Sequence, residues 1–316
     1  MAHNSLKVYY DVLYAPVTFD FIPFMANAHL AKDMLGAKCL DLTIIARKFR
    51  SITPREKVYE DEQKIWRLNH IIKNSVDLMP EVTTVTYSSE QLSELKIPCF
   101  PSNYPPRANE KQKFVMPYFP SFALSLPKHI KYAESMRFLK APKFAHSLIN
   151  TAVPETSKNI SITLRTSDFQ AARNSNLSAW KNLHDSLYTQ GYNVFIIPDF
   201  EDTFGARRAW QYDWNILESP SINQSLRLAV YERCSLNLAV NNGTSALLAY
   251  SSNPFLVFKI LTSGIATTSP EFIMKTGGLS FGEKPFHFLP TQNYIWADDT
   301  SETLISEVEK WLHAQS

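Results

Sequence analysis

The sequence predicts an α/β protein made of two halves, each a parallel sheet with helices on its faces, set on either side of a cleft. Three observations carry that reading. Apolar, β-branched runs alternate with helical patterns from Leu6 to Tyr87, the alternation lapses between Ile97 and Val153, and it restarts at Ile160. Strand and helix in strict alternation is the signature of parallel sheets, because parallel neighbours must be joined by a crossover. The length of 316 residues suits two domains of ordinary size. The expected domains are 1–152 and 153–316, with the polar, proline-bearing segment TAVPETSKN at 151–159 as the linker.

In the first half, LKVYYDVLY at 6–14 reads as a strand, rich in β-branched and aromatic residues. The turn Ala15-Pro16-Val17-Thr18 leads into the helical pattern FDFIPFMANAHLAKDML, with Thr18 as the expected N-cap. LDLTIIA at 40–46 is a second strand, 60–76 an amphipathic helix, and EVTTVTY at 81–87 a third strand. From Ile97 the chain turns to proline and aromatic residues (PCFPSNYPPR, VMPYFPSFALSLP), with a short helical stretch around KYAESMRFL. Loops of this length are either functional lids or a meandering surface cover.

The second half opens with the strand ISITLR at 160–165, followed by the helix LSAWKNLHDSLYTQ, which Gly191 ends. Then come the strand YNVFIIPD, the helix SLRLAVYERC, the strand LNLAV, the helix TSALLAYSS and the strand PFLVFKIL at 254–261. NYIWAD at 293–298 is the last strand, and SETLISEVEKWLHA the closing helix, which Ser301 and Glu302 start well. Open α/β sheets bind ligands at the carboxyl ends of their strands. The expected site is therefore between the halves.

Composition excludes several classes. Basic and acidic residues, 32 and 30, are mixed and leave a net charge of +2, so nucleic acid is not an expected partner. The three cysteines, Cys39, Cys99 and Cys234, are far apart and lack metal-ligand spacing, as reduced core thiols would be. No metal site is expected. The amino-terminal residues lack the pattern of a signal peptide, and no apolar run reaches the roughly 18 residues of a membrane span. The expected location is cytoplasmic. Only 8 glycines occur, and neither GxGxxG nor GxxxxGK[ST] is present, which argues against a glycine-rich dinucleotide site or a P-loop.

Four segments could carry chemistry. In LNLAVNNGTSALL at 236–248 an apolar run stops at Asn241-Asn242-Gly243-Thr244-Ser245 and helix formers follow at once. Unpaired N–H groups and small residues at such a turn can cradle a phosphate, or the same residues can merely cap a helix. In TLRTSDFQAARNSN, Arg165 ends a strand and the following loop carries Asp168, Arg173, Asn174 and Ser175. Two arginines at a strand's carboxyl end can grip a diphosphate by forked hydrogen bonds. Arg165, at the mouth of a buried strand, must be paired with protein or ligand. Asp199 in IIPDFED can accept from a sugar hydroxyl or pair with Arg165 or Arg173. Asp20, just after the first strand, can take a proton from an acceptor hydroxyl, or simply favour a helix start through the dipole. His29, His70, His184 and His287 have no partner spacing and read as structural.

Two α/β halves, an arginine ending the first strand of the second half, and an Asn-Gly-Thr-Ser turn opening a late helix together resemble the GT-B glycosyltransferases, in particular heptosyltransferase-like and fucosyltransferase-like members. The resemblance implies two Rossmann-like domains: an amino-terminal domain for the acceptor, and a carboxyl-terminal domain for the nucleotide-diphosphate sugar that serves as donor substrate. It implies that Arg165 and Arg173 bind the diphosphate, that Asn242, Gly243, Thr244 and Ser245 cradle it, and that Asp20 stands where such enzymes keep an acidic base. Asn174 and Asp199 complete the expected donor site. The chain lacks the glycine-rich first turn of many relatives and has Arg165-Thr166 where fucosyltransferases carry paired arginines. RNSNLSAW is similar to proteins encoded among surface-polysaccharide genes. The implied activity is transfer of a sugar to a glycan or lipid-linked acceptor in polysaccharide synthesis, without metal or cofactor, by a protein lacking a membrane span but compatible with peripheral membrane contact. A nucleotide-sugar epimerase or hydrolase, and a non-catalytic glycan- or nucleotide-binding protein, are the alternatives on the same scaffold.

Overall fold

The computed structural model describes residues 4–90, 98–107, 109–111, 113–117, 130–156, 158–200 and 212–315. They form two compact units, 1–139 and 140–316, each with its own parallel sheet.

In the first unit, β1 (Ser5–Asp11), α1 (Phe21–Met34), β2 (Cys39–Ile45), α2 (Asp61–Arg67), a π-helical turn (Leu68–Lys73), α3 (Asn74–Val76), β3 (Val82–Ser88) and β4 (Cys99–Phe100) follow in order. The sheet runs β3-β2-β1-β4. The expected β-α-β-α-β succession is present. The expected helix at 60–76 is α2, the π turn and α3 in series, started by a capping box between Glu60 and Gln63. Asp20, not Thr18, occupies the N-cap of α1. The Thr18 hydroxyl instead donates to the Asp20 carboxylate at 2.6 Å.

Helix α1 is buried almost all round, because the proline- and aromatic-rich segment lies over the face turned away from the sheet. Tyr10 of β1 meets Phe21 and Phe24 edge-on at 4.8 and 4.9 Å on one side. On the other, Phe138 stacks on His29 at 4.2 Å and Asn27 donates to the Pro117 carbonyl at 2.9 Å. The described parts of 98–139 are thus a cover for α1 and β1. The remainder of VMPYFPSFALSLP, from Tyr118, lies outside the described residues.

The second unit contains α4 (Lys143–Ile149), β5 (Asn159–Thr163), α5 (Leu177–Thr189), β6 (Asn193–Ile197), α6 (Ser219–Ile222), α7 (Gln224–Arg233), β7 (Leu236–Val240), α8 (Ser245–Ala249), β8 (Phe255–Phe258), α9 (Pro270–Gly277), β9 (Gln292–Tyr294) and α10 (Ser301–Gln315). Its sheet runs β6-β5-β7-β8-β9, all parallel. Alternate residues Ile160, Ile162 and Leu164 of the β5 segment join Leu236, Leu238 and Val240 in a core with Trp180 and Leu183 of α5 and Leu304 and Val308 of α10. On the opposite face, Ser161 donates to Asn237 at 2.6 Å and Thr163 bonds the hydroxyl of Tyr231, in α7, at 2.8 Å. These pairings explain why central strands tolerate polar residues.

The stretch 140–152, assigned from sequence to the first domain, packs with the second unit. Ala145 and Ile149 of α4 are buried beside α7, and Arg233 donates to the carbonyls of His146 and Val153 and to the Asn150 side chain.

Candidate functional site

The strands of the second unit are parallel, so their carboxyl ends share one edge of the sheet, and Arg165, Asp199, Asn241 and Lys259 all follow a strand there. Chain order reverses between β5 and β7: the connection to β6 goes to one side, the return to β7 to the other. At that switch point the connections leave in opposite directions and open a crevice. The loop after β5 and the turn after β7 flank it.

The loop 164–176 is built around buried Arg165. Ser175 closes its neck, accepting from the Arg165 N–H through its hydroxyl at 2.9 Å and donating its own N–H to the Arg165 carbonyl at 2.9 Å. The guanidinium turns inward. It donates to the Gln170 carbonyl at 3.2 Å, to the Phe169 carbonyl and to the Asn174 side-chain oxygen. Asn174 in turn donates to the Ser167 carbonyl at 2.9 Å. Arg165 is thus the staple of its own loop, as the burial argument requires. Replacing it would unmake the loop as well as remove a charge. Asp199 accepts from the Thr166 N–H at 3.2 Å and so ties the end of the β6 segment to the loop; the rest of IIPDFED, from 201, lies outside the described residues.

Arg173 points the other way. Its guanidinium donates to Gln170 Oε1 at 3.0 Å and, across the crevice, to the carbonyl of Asn241 at 3.0 Å. This bond joins the two segments singled out from sequence.

In the turn itself, Asn242 Oδ1 accepts from the Ser245 N–H at 3.0 Å and from the Thr244 hydroxyl at 2.8 Å, while Ser245 Oγ donates to the Asn242 carbonyl at 2.6 Å. The helix that follows, α8, has five residues. It carries little dipole, and the capping that sequence weighed against an anion cradle is present. The backbone N–H groups of Gly243 and Thr244 donate to no acceptor among the described residues.

Two residues of this edge escaped the sequence reading. Lys259 was taken as strand interior; it sits beyond β8 with φ 57°, in the left-handed region. Its ammonium donates to the Asn174 carbonyl at 3.0 Å and pairs with Asp299 at 3.2 Å. Asp299, buried, also accepts from the Asn176 N–H at 2.7 Å and from Trp180 Nε1 at 2.8 Å. Both follow a strand and precede a break in pattern, the one signal that marks them in the sequence.

In the first unit, Asp20 is half-buried at the start of α1 and makes no capping bond there. The turn before it is pinned: the Val17 N–H donates to Glu56 at 2.7 Å, and Arg67 Nε to the Val17 carbonyl at 3.0 Å. The fully buried acid of this region is Asp11, which ends β1 and was read only as strand. It accepts from Arg47 at 2.8 Å, Tyr104 at 3.0 Å and the Leu13 N–H at 3.0 Å. Tyr104 keeps its proton, because burial and the neighbouring Asp11 charge push its pKa well above the usual phenol value. Among the described residues no three of His, Cys, Asp and Glu come together in a way that could hold a metal ion, and no helix is long and apolar enough to cross a membrane.

No protein-family model matches the chain, and no curated protein matches it. Among solved structures it is similar to the glycosyl transferase family 9 from Veillonella parvula DSM 2008, with a TM-score of 0.56 over 99% of both chains at 9% identity. The fold is GT-B-like. Looser likenesses are to the E. coli ADP-heptose lps heptosyltransferase II (TM-score 0.46, 15% identity, 98% of this chain and 99% of that one) and to the dodecameric iron-containing heptosyltransferase TibC (TM-score 0.48, 12% identity, 100% and 77%). At such identities likeness speaks to fold, and the GT-B-like assignment rests on the first. The two α/β units expected from the interrupted alternation are those of this fold.

Proposed function

We propose that the protein is a glycosyltransferase that moves a sugar from a nucleotide-diphosphate donor to a hydroxyl of a glycan or lipid-linked acceptor in surface-polysaccharide synthesis. The observation that supports it is the Arg173 bond to the Asn241 carbonyl, which joins a loop stapled by Arg165 to a turn whose Gly243 and Thr244 N–H groups bond nothing among the described residues, at the switch point of an open parallel sheet. In this reading the second unit holds the donor. The diphosphate lies against the N–H groups of Gly243 and Thr244, the hydroxyls of Thr244 and Ser245 turn to it from Asn242, and Arg173 supplies charge-assisted donors. Asn242 shapes the turn. Arg165, Asn174 and Asp199 fix the loop's geometry, and the Arg173 guanidinium, with the N–H groups of the turn, stabilises the leaving diphosphate without need of a metal.

The first unit takes the acceptor, and Asp20 is the base. The acceptor oxygen gives its proton to the Asp20 carboxylate and forms a bond to the anomeric carbon, while the bond from that carbon to the diphosphate oxygen breaks and the diphosphate leaves with its electron pair. A thermal-shift series with ADP, GDP and UDP tests the donor half, since a ligand of the native state raises apparent stability. At least one is expected to raise the melting temperature, and the matching nucleotide sugar to be consumed only with an acceptor present. Consumption without acceptor would mean an epimerase or hydrolase; binding with no turnover, a silent binder; no shift with any nucleotide overturns the reading.

A further inference from the structure

Lys259 adopts the left-handed backbone region, φ 57°, where glycine or asparagine is the ordinary occupant. An extended residue at 259 would continue the alternation of Phe255 and Val257 and direct its side chain to the sheet face opposite α5. The left-handed turn sends it instead across β7, the strand between, to the loop that enters α5. There the ammonium meets the Asn174 carbonyl at 3.0 Å and Asp299 at 3.2 Å. Asn174 is the same residue whose side chain receives Arg165. Asp299 is the same carboxylate that receives the Asn176 N–H and Trp180 Nε1. Backbone strain held by several converging bonds is a mark of functional positions.

We propose that Lys259 is the positioning residue of the donor diphosphate site: its ammonium fixes the carboxyl-terminal end of the 164–176 loop, and with it the direction in which Arg173 presents its guanidinium. The inference rests on the donor reading above. A lysine serves this purpose where a neutral residue would not, because Asp299 lies buried in the same contact and requires a cation beside it. The strain is thereby tied to the site, since relaxing the backbone at 259 would withdraw the ammonium from Asn174.

Calorimetry on the full chain, with the best nucleoside diphosphate of the thermal-shift series and with its parent nucleoside, tests the assignment. Lys259→Met is expected to bind the diphosphate about 10- to 100-fold more weakly, the range for losing charge-assisted contacts. Nucleoside affinity stays at the wild-type value, and Lys259→Arg recovers most of the loss. A structural pin alone would lower nucleoside and diphosphate affinities together along with the melting temperature, and that result overturns the proposal. Wild-type affinity in Lys259→Met overturns it too, while leaving the donor reading intact. A wild-type chain that binds no nucleoside diphosphate removes both. Should Lys259→Met fail to fold, Lys259→Arg and Lys259→Gln are compared, and equal diphosphate affinities in those two count against the assignment.

Discussion

At the scale of single residues, the two acids at the start of the first unit divide their work by environment. Asp11 is fully buried and saturated by Arg47, Tyr104 and a backbone N–H, so it holds the end of β1 together. Asp20 is half-buried, receives the Thr18 hydroxyl and makes no side-chain capping bond at the start of α1. Asp20→Asn is expected to keep donor affinity while slowing transfer roughly 100- to 10,000-fold, the usual worth of a positioned proton acceptor. Rate and affinity measured on one preparation decide it; transfer at the parent rate would place the base elsewhere. A second pair sets the response to acid. His29 Nδ1 lies 3.1 Å from Glu81, and its Nε2 is buried with no hydrogen-bond partner among the described residues. Burial holds the His29 pKa below its ordinary value, against the pull of Glu81, so the ring is neutral inside the fold. The Glu81 carboxyl is drawn down to about 2 by its bonds to His29 and Lys32, despite partial burial. Both shifts have one sign: the unfolded chain binds more protons than the native one below pH ~6.5 for the histidine and below ~4.5 for the glutamate. Melting temperature should fall as pH drops from 7 towards 4, and His29→Gln should flatten the upper part of that fall. An unchanged slope in the variant would assign the loss to other groups.

At the scale of elements, strands and long helices were legible because their periodicities are strong. β5 and β7 are buried along their whole length and set Ile160 and Ile162, Leu236 and Leu238, at alternate positions, and α5 puts Trp180, Leu183 and Leu187 on one stripe. What escaped were elements whose evidence lies in punctuation. Helix α9 begins at Ser269, whose hydroxyl accepts from the Phe272 N–H at 3.2 Å, continues with Pro270 at the first position, and stops at Gly278 with φ 64°. Those start and stop signals were in the sequence, but the helix spans only Pro270–Gly277, about two turns, too short for its apolar residues to set up a repeating pattern. Ser269→Ala is expected to lower stability by about 1 kcal/mol, the usual worth of an N-cap, as read from chemical denaturation; a change under a few tenths would mean that packing alone holds α9. The same limit hid Lys259 and Asp299. Their importance comes from reaching the loop that enters α5 and from pairing with each other, and no local pattern in PFLVFKIL, or around Asp299 just past NYIWAD, encodes those partners. Arg165 was legible as a residue that needed partners, but not that its own loop would supply them.

At the scale of the whole molecule, the two sheets share no strand, and each has its own buried core. Residues 140–316 are therefore expected to fold as a separate fragment. A fragment starting at 153 should be less stable, because it loses Ile149 of α4, worth about 1.5–3 kcal/mol when buried, and two of the oxygens that Arg233 holds, the His146 carbonyl and the Asn150 side chain. Equal denaturation midpoints for the two fragments would show that α4 adds nothing to that core. The first unit is arranged differently along the chain. Helix α1 ends at Met34, but its outer face is covered by Pro117, Ser135 and Phe138, roughly a hundred residues further on. During synthesis at about 5–20 residues per second, α1 would wait on the order of 5–20 s for that cover. In that interval Phe21 and Phe24 are already paired with Tyr10 of β1, while the rest of a helix that ends up buried almost all round, Ile22, Met25, Ala26 and Leu30 among it, lacks its later cover. The growing chain thus has a period in which its first helix is an apolar surface open to chaperones or to other nascent chains, and it ends only when residue 138 leaves the ribosome.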